Sequence, residues 1–456
     1  MAPVHTVKVL EQCRVAPPAG TTTQTTLPLT FFDLLWITTP SVEHLLFYDF
    51  PHSKNHFTRN VLPLMKQSLS LTLQQFYPLA GNLIWSQEPN TKPTLRYMDG
   101  DSVSLAVIEC HDDYDHLVSN HARDGHTFHP LVPRLGASDS MTQVLALQVT
   151  LFPHYGLCIG FTVHHGVADG STALQFMRSW SSLCKFTDES EKITVFAPFY
   201  DRSVIKDKDG LESIYLKDLR HFKWHLKTFK ASEITTNGVD MVRVTFILSR
   251  THINRLNQWL VRLVCEKKIP QFYSSTYVLV CAYVMVCLVK ARRIDERKKT
   301  IQIAFPTGCR TRLNYPIPTA YFGNCIGICC TPALKCDMIK GEDGFLVAAE
   351  GIGKAIEDLE TGVLKGAEKW VKNNLICDMS NERVMVAGTL KLNFYETDFG
   401  WGRPRKSEVI SMEKKGAFSL GETGDGDGVE FPLADQAHEL HALTSSDIKS
   451  GTNDIS

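Results

Sequence analysis

The sequence predicts two α/β domains, each a mixed sheet flanked by helices, joined by a polar crossover. Its 456 residues exceed what one hydrophobic core usually supports, so two units of about 200 residues are expected. Apolar residues alternate in short runs and recur at three- and four-residue steps in longer ones, and the two patterns follow one another through both halves. Between the halves, 186–238 turns polar and charged and loses long apolar periodicity. The lobes are accordingly drawn at 1–190 and 239–456, with 191–238 as the crossover.

Residues 5–15 alternate well enough for an edge strand, and Leu27, Pro28, Leu29, Thr30, Phe31, Phe32 and Asp33 begin the ordered body after a threonine-rich loop. The stretch 45–50 is expected to be a strand ending at Pro51. Val61, Leu62, Met65, Leu69, Leu73 and Phe76 recur at helical steps, which predicts an amphipathic helix over 56–76 closed by 77–82. Strands follow near 94–97 and 103–107. The alternating run 144–163 is broken by Pro153, His154, Tyr155 and Gly156, which predicts two strands and a tight turn. Helical spacing returns over 171–180, with Ser171 as the N-cap.

In the second half, strands are expected at 241–248, 300–305, 326–332 and 384–392, and helices at 251–266, 275–289 and 344–359. From 421 onward the chain is acidic and turn-rich. Within it, 428–443 has the pattern for one more strand and helix, whereas 444–456 is expected to be disordered.

Composition excludes several classes of function. The net charge is −1, and the basic residues of 290–299 are few and mixed with Asp295 and Glu296, so no phosphate track for nucleic acid is expected. The longest apolar segment, 277–289, is too short to cross a bilayer and leads into Lys290, Ala291, Arg292 and Arg293. Residues 1–12 lack the apolar core of a signal peptide. The thirteen cysteines, among them Cys281, Cys287, Cys325, Cys329 and Cys330, have neither disulfide-scaffold density nor the paired spacing of a zinc site. A reduced, cytoplasmic, monomeric protein without a metal or membrane association is the expectation.

The chemistry points to one stretch, Thr162, Val163, His164, His165, Gly166, Val167, Ala168, Asp169 and Gly170. The second histidine stands where a rigid strand hands over to a helix, with a carboxylate four residues on and glycines that permit a tight turn. His-x-x-x-Asp alone is expected about once by chance in such a composition, and His111 with Asp115 repeats it. That copy lies in a polar, acidic stretch suited to a solvated histidine. His165 is a candidate general base; a structural histidine is the alternative.

A second phrase, Asp398, Phe399, Gly400, Trp401 and Gly402, makes the chain resemble the plant BAHD family of acyl-CoA-dependent acyltransferases, with the two motifs in the expected order and positions. Tyr321, Phe322, Gly323, Asn324 and Cys325 resemble the branch that acylates anthocyanin, flavonoid and other phenolic glycosides. Residues 27–33, 69–82 and 199–203 carry supporting likeness, and the resemblance spans nearly the whole chain. It implies a two-domain fold similar to chloramphenicol acetyltransferase with a channel between the domains. Acyl-CoA is then the co-substrate and a phenolic or flavonoid glycoside the acceptor. The implied step has His165 take the acceptor's proton, with no acyl-enzyme and no metal. In the family the aspartate corresponding to Asp169 pairs with an arginine, for which Arg310 is the candidate, and shapes the site. Asp398 belongs to a motif that organises structure away from the reacting atoms, and Phe399 and Trp401 are expected in the core. Here Gly308 stands where members of the branch usually have an aspartate two residues before that arginine.

The donor is addressed by Arg178, on the helix behind His165 and among apolar neighbours. A buried guanidinium needs an anionic partner; likeness to malonyl-using members implies the malonyl carboxylate, and snorkelling to solvent is the alternative. An aromatic hydroxycinnamoyl donor would have no use for it, yet aromatic acyltransferases of the same branch share the pattern of 46–51. A peptide-synthetase condensation domain also fits His164 to Gly170, but the free-standing length and Tyr321 to Cys325 count against it. A binding protein that keeps the fold without turnover is disfavoured by His165.

Overall fold

The computed structural model describes residues 7–85, 91–138, 140–185, 197–221, 241–291, 300–377, 383–412 and 417–436. Its first half is built on the hairpin of Leu145–Phe152 and Gly156–Val163. Every residue of both strands is buried, because helices cover one face of their sheet and a second apolar cluster covers the other. Register runs from Gly156 opposite Phe152 to Val163 opposite Leu145. His154 in the turn has φ 70°, the left-handed conformation that three-residue hairpin loops use. Gly156 leaves no room for a side chain, since a Cβ would lie 2.3 Å from the Tyr114 ring.

Six strands make the first sheet, in the order Val7–Val15, Val103–Cys110, Leu145–Phe152, Gly156–Val163, Val42–Asp49 and Lys406–Val409. The second sheet runs Ile326–Cys330, Thr300–Gly308, Arg383–Gly388, Ala417–Glu422, Gly428–Gln436, Met241–Ser249 and Arg123–Asp124, with Leu334–Lys335 paired to Thr300–Gly308. Thr25–Pro28, Thr94–Tyr97, Asn82–Ile84 and Met141–Gln143 form a third, small sheet.

The halves exchange strands. Lys406–Val409 completes the first sheet against Val42–Asp49, and Arg123–Asp124 ends the second against Met241–Ser249. Both carry charge that periodicity assigns to the surface, and neither was expected as a strand. Arg123, Lys406 and Glu408 are buried because opposite charges meet: Glu408 accepts from Arg123 at 2.9 Å and from Arg243 at 3.1 Å, and Lys406 donates to Glu430 at 3.2 Å. The largest core cluster likewise mixes the halves, joining Leu46 and Phe161 to Tyr321, Phe322 and Phe399. The crossover boundaries drawn at 191 and 238 fall outside the described residues.

The expected helix over 56–76 is three pieces. A wide π-type turn, Phe57–Val61, separates Lys54–His56 from Leu62–Gln75, and Pro63, with no N–H to donate, stands just after it. In the polar stretch, where long apolar periodicity is lost, Leu211–His221 is nevertheless a helix; it buries only Leu211, Tyr215 and Leu219, a stripe too thin for periodicity to flag. Thr276–Ala291 is apolar all round and is sandwiched in the second core with Gly344–Thr361. No helix among the described residues is long and apolar enough to cross a membrane. Gly428–Gln436 is the expected last strand, paired to Met241–Ser249 with Phe431 opposite Phe246; the helix expected after it and the tail at 444–456 lie outside the described residues.

Candidate active site

His165 follows the central strand Gly156–Val163 by two residues, in the turn that leads into the helix Gly170–Lys185. That helix starts one residue earlier than expected, and Asp169 rather than Ser171 serves its first turn: the Thr172 amide donates to Asp169 Oδ1 at 3.0 Å. Ser171 instead lines a cavity of about 1460 Å³ together with His165, Gly170 and Ala173. The cavity lies between the two large sheets, taking Val42, Phe161 and Val163 from the first and Phe305, Val384 and Leu420 from the second.

The imidazole of His165 stacks face to face on Trp36, with centroids 4.6 Å apart and planes 10° from parallel. Trp36 is itself fixed, its Nε1 donating to the carbonyl of Ile326 at 3.1 Å. Burial holds the His165 pKa below its ordinary value, against its own backbone carbonyl, the Asp169 charge and Asn324, which favour the protonated form. A neutral imidazole at pH 7 follows, and Nδ1 has no hydrogen-bond partner among the described residues. His164, next in the chain, turns the other way: its Nδ1 accepts from the Gly166 amide at 3.1 Å, and burial beside His165 lowers its pKa to about 4. It buttresses the turn.

Asp169 does not touch His165. Its Oδ2 accepts from Arg310 Nη1 at 2.6 Å and from the Cys325 amide at 3.1 Å, and its Oδ1 from Arg310 Nη2 at 3.2 Å. Burial opposes its ionisation, and Arg310 with the Thr172 and Cys325 amides overcomes that, leaving the pKa below the carboxylate norm. Arg310 reaches on to the carbonyls of Tyr321 and Gly323 at 3.3 and 3.2 Å. The ion pair forms although Gly308 replaces the branch's usual aspartate, because Asp169 supplies the whole bidentate partner.

The turn of Tyr321, Phe322, Gly323, Asn324 and Cys325 is thereby bound to the histidine's backbone. Asn324 Nδ2 donates to the His165 carbonyl at 2.9 Å and to Asp33 Oδ1 at 3.1 Å. Gly323 has φ 122°, and a Cβ there would lie 2.1 Å from the Arg202 guanidinium, so only glycine fits. Arg202 donates to the Tyr321 hydroxyl at 2.9 Å and lies 3.5 Å from Asp33. Phe322 is buried beneath Tyr200.

Asp398 is remote from this cavity wall. Its Oδ1 accepts from the amides of Gly400 and Gly402 at 2.8 and 3.0 Å, both glycines having φ near 100°, and Lys185 meets its Oδ2 at 2.7 Å. The loop so closed lays Phe399 and Trp401 against Tyr48. Arg178 is not brought to the cavity either. It lies two helical turns, about 10 Å, beyond Ser171, is partly exposed, and donates from Nη2 to Glu396 Oε2. His111, the second copy of the motif, is exposed near Glu109.

Trp36 and Asp33 carry the histidine's support without having been singled out for it. Asp33 lay inside a stretch noted for its likeness alone, and Trp36 had no local signal, since each meets its partner across the fold. Among the described residues no group of three or more His, Cys, Asp or Glu side chains is arranged to hold a metal.

A family model described as the Transferase family matches residues 5–446. The chain is 37% identical over 435 residues to malonyl-coenzyme A:anthocyanin 3-O-glucoside-6''-O-malonyltransferase of Dahlia pinnata, covering 91% of each chain. It is 37% identical over 426 residues to phenolic glucoside malonyltransferase 1 of Nicotiana tabacum, covering 90% and 91%. A coumaroyl-CoA:anthocyanidin 3-O-glucoside-6''-O-coumaroyltransferase of Arabidopsis thaliana is 35% identical over 462 residues, covering 96% of each. The crystal structure of vinorine synthase superposes with a TM-score of 0.70 at 20% identity, covering 96% of each chain, which is a likeness of fold.

Proposed function

Because this chain belongs to the Transferase family, the BAHD acyl-CoA-dependent acyltransferases, with their chloramphenicol-acetyltransferase-like fold, we propose that it moves a malonyl group from CoA to a sugar hydroxyl of a phenolic or anthocyanin glucoside, with His165 as general base. One observation carries the chemistry. The His165 imidazole lines the cavity between the two large sheets while Asp169, the other half of its motif, gives both carboxylate oxygens to Arg310.

His165 takes the proton of the sugar hydroxyl as that oxygen attacks the thioester carbonyl. The tetrahedral intermediate collapses to the malonyl ester, and the imidazolium returns its proton to the departing thiolate. No acyl-enzyme is needed. The indole face of Trp36 stabilises the imidazolium while it exists, and Asn324 with Asp33 fixes the backbone from which the ring projects. Asp169 and Arg310 hold the turn in register and exchange no proton. Acyl-CoA is the co-substrate, and a reducing cytoplasmic setting belongs to the same proposal, supported by the free thiols of the described cysteines.

The malonyl donor is supported by the names of the 37% identical relatives and not by Arg178, which is occupied by Glu396. The coumaroyl relative makes a hydroxycinnamoyl donor the second reading. Equimolar competition of malonyl-, acetyl- and coumaroyl-CoA for an anthocyanidin or flavonol glucoside, read by the mass added, decides between them. A dominant malonyl ester is expected; a dominant coumaroyl ester establishes the second reading.

A further inference from the structure

We infer that the cavity contains a recognition site for a phenolic ring of the acceptor, formed by His44, Ser407, Tyr395 and Glu430 beside Phe161 and Phe394; this rests on the reading that the acceptor is a phenolic glucoside. All six residues line the cavity that His165 lines. Four are polar groups joined to one another by hydrogen bonds beside two phenylalanine rings, and the transfer step uses none of them.

Strand exchange builds the patch. His44 stands opposite Phe161 on one side and opposite Val409 of the inserted strand on the other. Its ring centroid lies 4.3 Å from that of Phe394 and 5.2 Å from that of Phe161, and those two rings are 5.9 Å apart at 29°. His44 Nε2 is 2.7 Å from Ser407 Oγ. The Ser407 amide donates to the Tyr395 hydroxyl at 3.3 Å, which donates to Glu430 Oε1 at 2.8 Å, and Lys406 holds Glu430 Oε2 from behind at 3.2 Å.

The second nitrogen of His44, Nδ1, has no partner among the described residues, although the side chain is 4% exposed. Burial lowers the His44 pKa to about 3, against the pull of Glu408, so the ring is neutral at pH 7. A neutral imidazole nitrogen either donates or accepts, and a phenol hydroxyl does both, so the two match in either tautomer. Nδ1 is not among the fully enclosed atoms left without a partner, so it is open to a hydroxyl in the cavity that His44 lines. The flanking phenylalanines offer faces for the ring that bears it.

Placement selects the phenol over the sugar. Phe161 precedes His165 by four residues, the last two beyond the end of the strand, so His44 lies at most about 13 Å from the base at about 3.3 Å per residue. With a sugar hydroxyl at His165, the patch meets the far end of the acceptor.

Two acceptors that differ in one group test this: a flavonol glucoside with a free hydroxyl on its distal ring, and the O-methyl ether of that hydroxyl. Binding of each to the full chain with CoA present is measured by calorimetry, alongside KM for transfer. Wild type is expected to favour the free phenol by about fivefold to thirtyfold. His44→Phe is expected to abolish the preference and Ser407→Ala to reduce it, and the second variant keeps the test open should the first not fold. Equal affinity of wild type for the two acceptors, no affinity for either, or an undiminished preference in the variants overturns the inference. Preferential binding without malonyl transfer supports the recognition site and removes the transfer reading, whereas transfer without preference does the reverse.

Discussion

Asp169 gives both carboxylate oxygens to Arg310, at 2.6 and 3.2 Å, and neither to His165. The two residues are 141 apart in the chain, and the pair ties the start of the helix behind the histidine to the turn at 321–325, whose carbonyls Arg310 also holds. Asp169→Asn is therefore expected to leave a buried guanidinium uncompensated and to cost about 3 to 5 kcal/mol of stability. Thermal melts with and without CoA check it. A variant that melts like wild type yet has lost turnover would give Asp169 a part in the proton transfer.

Trp36 is expected to act through the ring it covers. Trp36→Leu removes the indole face and the hydrogen bond to Ile326, and should lower kcat about tenfold, the loss expected for a partly desolvated cation–π contact of about 1 to 2 kcal/mol. Trp36→Phe keeps a face and should recover part of it. Equal effects on KM and none on kcat in both variants would make Trp36 a wall of the cavity and nothing more.

The pH profile follows from burial. Desolvation lowers the His165 pKa from 6.5, and lowering the pKa of a base extends its neutral form to lower pH. The acid limb of kcat/KM for the free enzyme should therefore inflect below 6.5 and the profile stay flat from there to pH 8. An inflection above 7 would mean that a neighbouring carboxylate governs the ring.

Glu408 dominates stability in acid. Burial alone raises its pKa, and Arg243, Lys406 and Arg123 together bring it down to about 2 from 4.5. A depressed carboxyl contributes stability that is complete above the unfolded value and is lost as pH falls through the folded one. The melting temperature should thus fall between pH 4.5 and 2, and Glu408→Gln should weaken that dependence and lower stability at pH 7. An unchanged acid slope in the variant would place the effect elsewhere.

Arg178→Ala should change the KM for malonyl-CoA less than about threefold, because its guanidinium is partnered by Glu396 and neither residue lines the cavity. A steep rise for malonyl-CoA with acetyl-CoA unaffected would instead show that the pair opens to admit the donor's carboxylate.

What the sequence made legible follows a physical divide. His165 and Asp169 are contiguous with a strand-to-helix boundary, so period and motif find them together, and Arg310 followed from the family's pairing. The contacts of Asp33 with Asn324 and of Trp36 with Ile326 join residues about 290 apart in sequence, where no local pattern exists. Lys406–Val409 reads as surface because its charges are cancelled by partners on three other strands. Arg178 shows the limit of periodicity from the other side. Its apolar neighbours announced a side chain against the fold, but spacing does not say how far along the helix the cavity extends.

The central claim, acyl transfer with His165 as its base, is tested most directly by thiol release from malonyl-CoA in the presence and absence of a phenolic glucoside, for wild type and His165→Ala. Wild type should release CoA only when the glucoside is present, with one malonyl ester formed per thiol, and His165→Ala should be slower by a factor of about a hundred or more with an unchanged melting temperature. Acceptor-dependent release at the wild-type rate from a folded His165→Ala protein would contradict the account.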